Sequence, residues 1–231
     1  MGEHALSGTP PVPLTLRRST RARRISLRIS QLDGRVTLTY PQGVPEAEAL
    51  SFARSKEAWI RQHLEGQPDP EQVRVGSIIP VEGRERRIVG ATGRRVLLSD
   101  NEVAVPVGSE GRRLARFLKE LARDRLTEAC DDYAAMLGRS YNSLTLRDTR
   151  SRWGSCSSDG GLMFSWRLIL SPPEVLHYVA AHEVAHLVEM NHSPAFWAQV
   201  GRIFGPYDTP RRWLRENGAT LHRYRFDSDA S

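Results

Sequence analysis

The sequence predicts an α+β fold, and three features predict it. Two stretches of alternating apolar and polar residues, around Asp33-Gly34 and Asp159-Gly160, read as β-hairpins. Residues 110–137 repeat apolar side chains at spacings of 3 and 4, the period of an amphipathic helix. A shorter, largely apolar helical segment opens at Ser171-Pro172-Pro173.

The elements follow in order. Residues 1–15 contain Pro and Ser and have little apolar content, so a disordered tail is expected. Ile25, Leu27 and Ile29, then Val36, Leu38 and Tyr40, alternate with polar residues on either side of Asp33-Gly34. Pro45 opens one helical stretch carrying Leu50, Ala53, Trp59, Ile60 and Leu64. Gly66–Pro70 breaks the chain. From Val73 to Val107, short strands separated by Gly and Pro predict a small antiparallel patch. Gly138 ends the long helix, since glycine takes the left-handed conformation of a C-terminal cap at low cost. Leu144–Leu146 reads as a strand, and Ser151–Cys156 and Leu162–Leu170 as the second hairpin. Ser171 is the expected cap of the helix that follows, with Glu174 three residues on. The organisation expected is a tail (1–15), a β-rich/α segment (16–108), a second segment (109–226) and a short tail (227–231), with one continuous domain over 16–226 as the alternative.

Composition narrows the class. With 231 residues, 39% hydrophobic and 26% charged, the chain can bury a core without staples. No apolar run reaches the length of a membrane span, and the first residues lack a secretory pattern, so a cytoplasmic location without membrane contact is expected. Two cysteines, Cys130 and Cys156, exclude a disulfide framework and a Cys-rich zinc site. The net charge of +6 is uneven: Arg17, Arg18, Arg21, Arg23, Arg24 and Arg28 lie against Glu3 alone in the first 30 residues. Only Lys56 and Lys119 are lysines. The plain account of so much Arg is codon usage. The sharper one is weak nucleic-acid contact through residues 17–28, because Arg pairs with phosphate in bidentate fashion.

The chemistry concentrates in His182-Glu183-Val184-Ala185-His186. Two His four apart lie on one helix face, so both imidazoles reach one metal ion. Glu183, turned about 100° from His182, stands beside the metal as acid/base without ligating it. A metal lowers the pKa of bound water from about 15.7 toward about 7, and Glu183 takes that proton. Val175, Leu176, Tyr178, Val179, Val184, Leu187 and Val188 predict burial, where unpartnered imidazoles are costly.

A catalytic zinc usually takes three protein ligands. His192 is the first candidate for the third: Asn191 suits a left-handed helix stop, and Ser193-Pro194 starts another helix. Glu189 is its main rival, being seven residues after His182, and otherwise reads as a partner holding an imidazole. Glu216 is a weaker rival. His177 faces away and reads as structural, and His4, His63 and His222 as surface residues. The three-His spacing equals that of metzincins, but Glu189 replaces their glycine and no Met-turn follows. Upstream, Arg152 is a candidate phosphate contact and Trp153-Gly154 a place of close approach. Arg167 is a second candidate phosphate contact, and Tyr207 a candidate hydroxyl donor to a developing oxyanion. The expected reactions are peptide hydrolysis, with Phe164–Leu168 as an edge strand for substrate, or nucleotide phosphohydrolysis. A nucleic-acid-associated protein with an accessory metal is the third class. Oligomeric state is not legible.

The stretch SRWGSCSSDGGLMFSWRLILSPPEVLHYVAAHEVAHLVEMNHSPAFW resembles the YgjP-like metallopeptidase family, often labelled M48-type. The carriers are WGSC at 153–156, Trp166-Arg167-Leu168 as a strand, HEVAH, and NHSPAFW. The basic hairpin at 21–40, Trp59-Ile60 and Trp213-Leu214 also fit. The resemblance implies a zincin-like fold, a twisted sheet over an active-site helix, with residues 109–226 as its core. It implies one zinc held by His182, His186 and His192, Glu183 as acid/base, and a bacterial cytoplasmic setting. It leaves the substrate open between peptides and nucleotides such as UTP, and distant zincin relatives cleave proteins crosslinked to DNA.

Overall fold

The computed structural model describes residues 3–30, 34–64 and 70–226. Asp33 of the first expected turn, Gly66–Asp69 of the expected break and the tail 227–231 lie outside the described residues. The chain is mixed α/β, with six α-helices and several small sheets among the described residues. It divides into two compact units, Met1–Asp69 and Pro70–Ser231.

The N-terminal unit is a four-stranded sheet backed by two helices. Its strands are β1 (Glu3–Leu6), β2 (Val12–Ser19), β3 (Ser26–Ile29) and β4 (Val36–Pro41), in the order β1-β2-β4-β3. β3 and β4 pair antiparallel, as the alternation predicts. Within the expected disordered tail, residues 3–6 and 12–15 are instead strand. Val12, Leu14 and Leu16 alternate inward, and β2 pairs parallel with β4 across the intervening β3. The low apolar content of this segment hides its period-2 pattern, because its strand pairing is non-local. The expected single helix is two, α1 (Glu46–Ser55) and α2 (Glu57–Leu64), broken at Lys56. Leu38, Ala49, Ala53 and Ile60 are fully buried between sheet and helices. Side chains such as Leu38 and Ile60 contribute about 1.5–3 kcal/mol each by burial.

The C-terminal unit begins with β5 (Glu71–Gln72), β6 (Ile78–Val81), β7 (Arg84–Ala91), β8 (Leu97–Leu98) and β9 (Glu102–Pro106). The sheet β6-β7-β9-β8 is mixed rather than antiparallel, since β7 and β9 run parallel. Its inward residues Ile79, Val81, Ile88, Val103 and Val105 share one core with the elements that follow. The second compact unit therefore begins at Pro70, ahead of this sheet. Helix α3 (Glu110–Leu137) runs as expected and ends at Gly138, whose φ of 62° is left-handed.

Next come β10 (Ser143–Arg147), β11 (Gly154–Cys156) and β12 (Gly161–Ser165), in the order β10-β12-β11. The second hairpin stands, but Trp166–Leu170 is a buried 3₁₀ helix rather than the end of its strand. Helix α4 (Pro173–Ala185) buries residues on nearly every side against α3, α5 (Pro194–Phe204), α6 (Asp208–Asn217) and β11. Ser171 does not cap it. Its hydroxyl donates to the Leu168 carbonyl at 2.7 Å, and Pro172 occupies the cap position. A 3₁₀ helix at Gly218–His222 and β13 (Tyr224–Arg225), paired with β5, complete the unit. No helix among the described residues is long and apolar enough to cross a membrane.

Candidate active site

Helix α4 carries His182 and Glu183 in its last turn and ends at His186. The next turns tighten: the amides of His186, Leu187 and Val188 bond to carbonyls three residues back. This early stop places Glu189 off the face expected for it. Its carboxylate does not hold an imidazole; its backbone carbonyl does, lying 2.8 Å from His186 Nδ1. A carbonyl only accepts, so Nδ1 of His186 carries the proton and Nε2 keeps its lone pair.

His192 returns the chain to the site. Asn191 is not left-handed, for Glu82 and Ser109 are the only non-glycine residues with positive φ among the described residues. Instead Asn191 Oδ1 accepts from the Ser193 amide at 2.9 Å, closing a tight turn. Ser193 then caps α5 by accepting from the Phe196 amide. Its first turn delivers Phe196, fully buried, whose ring stacks on His186 at 4.4 Å. The same ring meets His182 and His192 edge-on at 4.9 and 4.8 Å. Phe196 is thus the plate against which all three imidazoles are set. Sequence reading placed it only as a helix residue, although its position three after a Ser-Pro cap was the available signal.

The outcome is convergence. One ligand atom each from His182, His186 and His192 lies within 4.8 Å of the others, and the Nε2 atoms of His182 and His192 are 3.0 Å apart. Burial, then repulsion from His186 and His192, lowers the pKa of His182 to about 3. Burial also lowers that of His186. Neutral imidazoles offer lone pairs, as a metal requires. Glu183 is 6% exposed, and burial pushes its carboxyl up to about 7 against the pull of Arg152. Such a group exchanges protons near neutrality.

Gly154, on β11, explains where that carboxylate sits. A Cβ there would lie 2.6 Å from both Cγ and Oε1 of Glu183. At Gly154, where a close approach of backbone or substrate is expected, the group that approaches is the Glu183 side chain. β11 is an edge strand, with β12 on one side. Beside it, a cavity of about 420 Å³ reaches His186 and is lined by Arg139, Ser140, Ser157, Asp159 and Met190, among others.

The model of the YgjP-like, metallopeptidase domain matches residues 23–217. The chain belongs to the YgjP-like metallopeptidase family. It is accordingly a metal-dependent hydrolase. No curated protein matches the chain at a significant level. Among solved structures, the metallopeptidase zymogen abylysin of Pyrococcus abyssi is 20% identical, with a TM-score of 0.36, over 40% of this chain and 92% of its own.

YgjP-like membership implies a metal, and the residues fit one. Three imidazoles converge, two of them, His182 and His186, held neutral by burial, and no hydrogen bond occupies His182 Nδ1. Other expected residues are used differently. Arg167, a candidate phosphate contact, is buried, grips Asp148 through Nε and Nη2 at 2.6 and 3.1 Å, and donates to the Leu221 and Tyr224 carbonyls. Arg152 stays exposed and acts on Glu183 through its charge. Trp153 packs against His222 and Gly218. His222 is buried there rather than at the surface. Tyr207 stacks between Tyr178 and Trp197, each of which also meets His182 edge-on. Cys156 is half-buried, and burial, Glu183 and Asp159 push its thiol up to about 11, which leaves it inert as a nucleophile. His177 is structural as expected, with Nδ1 3.3 Å from the Tyr133 hydroxyl. Glu216, on α6, is exposed and pairs with Arg215.

Proposed function

We propose that this chain is a zinc-dependent peptidase with a zincin-like core, in which His182, His186 and His192 hold the metal and Glu183 moves the proton. The observation that carries the reading is the convergence of three imidazoles beside a buried carboxyl that packs against Gly154 of an edge strand. When bound, the metal supplies Lewis acidity that acidifies water and polarises the scissile carbonyl. Glu183 accepts the proton of the attacking water and donates it to the leaving nitrogen. Phe196 and the Glu189 carbonyl keep the imidazoles oriented, so the donor set needs no rearrangement before catalysis.

Substrate is held by strand addition. The edge for this is β11, Gly154–Cys156, and not Phe164–Leu168: β12 lies between β10 and β11, and residues 166–170 are helical. The polar cavity beside His186 receives a substrate side chain. The phosphohydrolase alternative loses its support where Arg167 is already satisfied by Asp148 and two carbonyls.

The test is hydrolysis of an unstructured protein by zinc-loaded chain. Peptide fragments are expected, their appearance stopped by a chelator and restored by zinc. Release of pyrophosphate from UTP without any peptide cleavage would contradict the reading.

A further inference from the structure

The hydrolytic centre makes no use of the arginines of the N-terminal unit, and the sheet there gives them an arrangement. Leu14, Leu16, Val36 and Leu38 face the helices. Strand alternation sends their neighbours to the opposite face. Register places Thr15, Thr37 and Arg28 in one row across β2, β4 and β3, and Arg17, Thr39 and Ser26 in the next. Strands lie about 4.8 Å apart and the two rows about 6.6 Å apart. Across these three strands the result is a plate of four hydroxyls and two guanidiniums with no aromatic ring; Glu3 of β1 pairs with Thr15 at the outer end of the first row.

Arg21, Arg23 and Arg24 follow in the loop from β2 to β3, while Arg18, paired with Tyr40, belongs to the other face at the end of β2. All six arginines are exposed, and among the described residues none forms an ion pair. Arg18 is anchored only by donating to the Gln42 carbonyl. Six like charges within residues 17–28 repel one another, and an anionic partner relieves that repulsion.

The chemistry selects the partner. Guanidinium forks and Ser/Thr hydroxyls are the donors that phosphodiester oxygens take. Stable membrane anchoring adds inserted apolar side chains or a lipid chain to basic residues, and the plate carries no apolar side chain. Without aromatic rings there is no base stacking, and a flat strand surface does not enter a groove to read base edges. We propose that this face of the N-terminal unit binds nucleic acid through its sugar–phosphate backbone, without sequence preference.

The test is fluorescence anisotropy of the full metal-loaded chain with labelled single strands and duplexes of two unrelated sequences. Equal affinity for both sequences is expected, with log Kd linear in log salt at a slope of about 0.9 per phosphate contacted on a duplex. R17E/R28E should weaken binding about tenfold or more and flatten that slope. R94E/R95E removes the same charge from exposed positions of the other unit and should leave affinity within about twofold. An unchanged Tm shows that R17E/R28E is folded; if its Tm falls, R17Q/R28Q gives the same reading. Equal weakening by both double variants overturns the proposal, since net charge alone then explains it. So do absence of binding at low salt, a marked sequence preference, or binding to phosphatidylserine vesicles in place of nucleic acid.

Discussion

Glu183→Gln removes hydrolysis while metal content stays at the wild-type level. The substitution keeps the size and planarity of a side chain that is 6% exposed, so the packing of α4 against β11 survives. What it removes is the ability to take up and release a proton. A positioned acid/base contributes about 10²–10⁴-fold to the rate, and a loss of that size in kcat is the expected result. The imidazoles of His182, His186 and His192 are untouched, so elemental analysis should find the metal retained. Loss of metal together with activity would make Glu183 a ligand and contradict its assignment as proton carrier.

Gly154→Ala disables the same carboxylate without altering it. The added methyl would lie 2.6 Å from Cγ and Oε1 of Glu183, closer than any two such atoms approach. Gly154 is not among the glycines with positive φ, so the backbone itself tolerates alanine. The clash therefore falls on the side chain of Glu183, which must swing away from its place. A displacement of about 1 Å in a catalytic group costs about 10²-fold, and that is the drop expected in kcat. Metal content should not change, because no imidazole is touched. Full activity in this variant would mean that the position of the carboxylate is not set by β11.

What the sequence disclosed and what it hid divide along physical lines. Features governed by local spacing were legible: the two His of HEVAH four apart, the Ser193-Pro194 helix start, the period of α3 and its Gly138 stop. Features set by pairing across long stretches of chain were not. β2 reads as a loose Pro-containing tail because its partner β4 lies beyond a whole strand, and β7 meets β9 in parallel across β8. Glu189 was assigned to the metal-facing side by extending α4 one turn too far. The helix closes at Ala185, and a carbonyl takes the place expected of a carboxylate. Arg167 resembled a free cation because its acceptors, Asp148 and the carbonyls of Leu221 and Tyr224, are remote in sequence. The importance of Gly154 was visible as a place for close approach, but only the fold identifies Glu183 as what approaches.

The central claim is that three imidazoles from the end of α4 and the turn after it hold one metal ion. Elemental analysis of tag-free chain dialysed at neutral pH tests it most directly, with His192→Ala and Glu189→Ala measured in parallel. The account predicts about one zinc per wild-type chain and unchanged content in Glu189→Ala, whose contribution is a backbone carbonyl. It predicts metal affinity weakened at least about tenfold in His192→Ala. Metal kept by His192→Ala and lost by Glu189→Ala would contradict it.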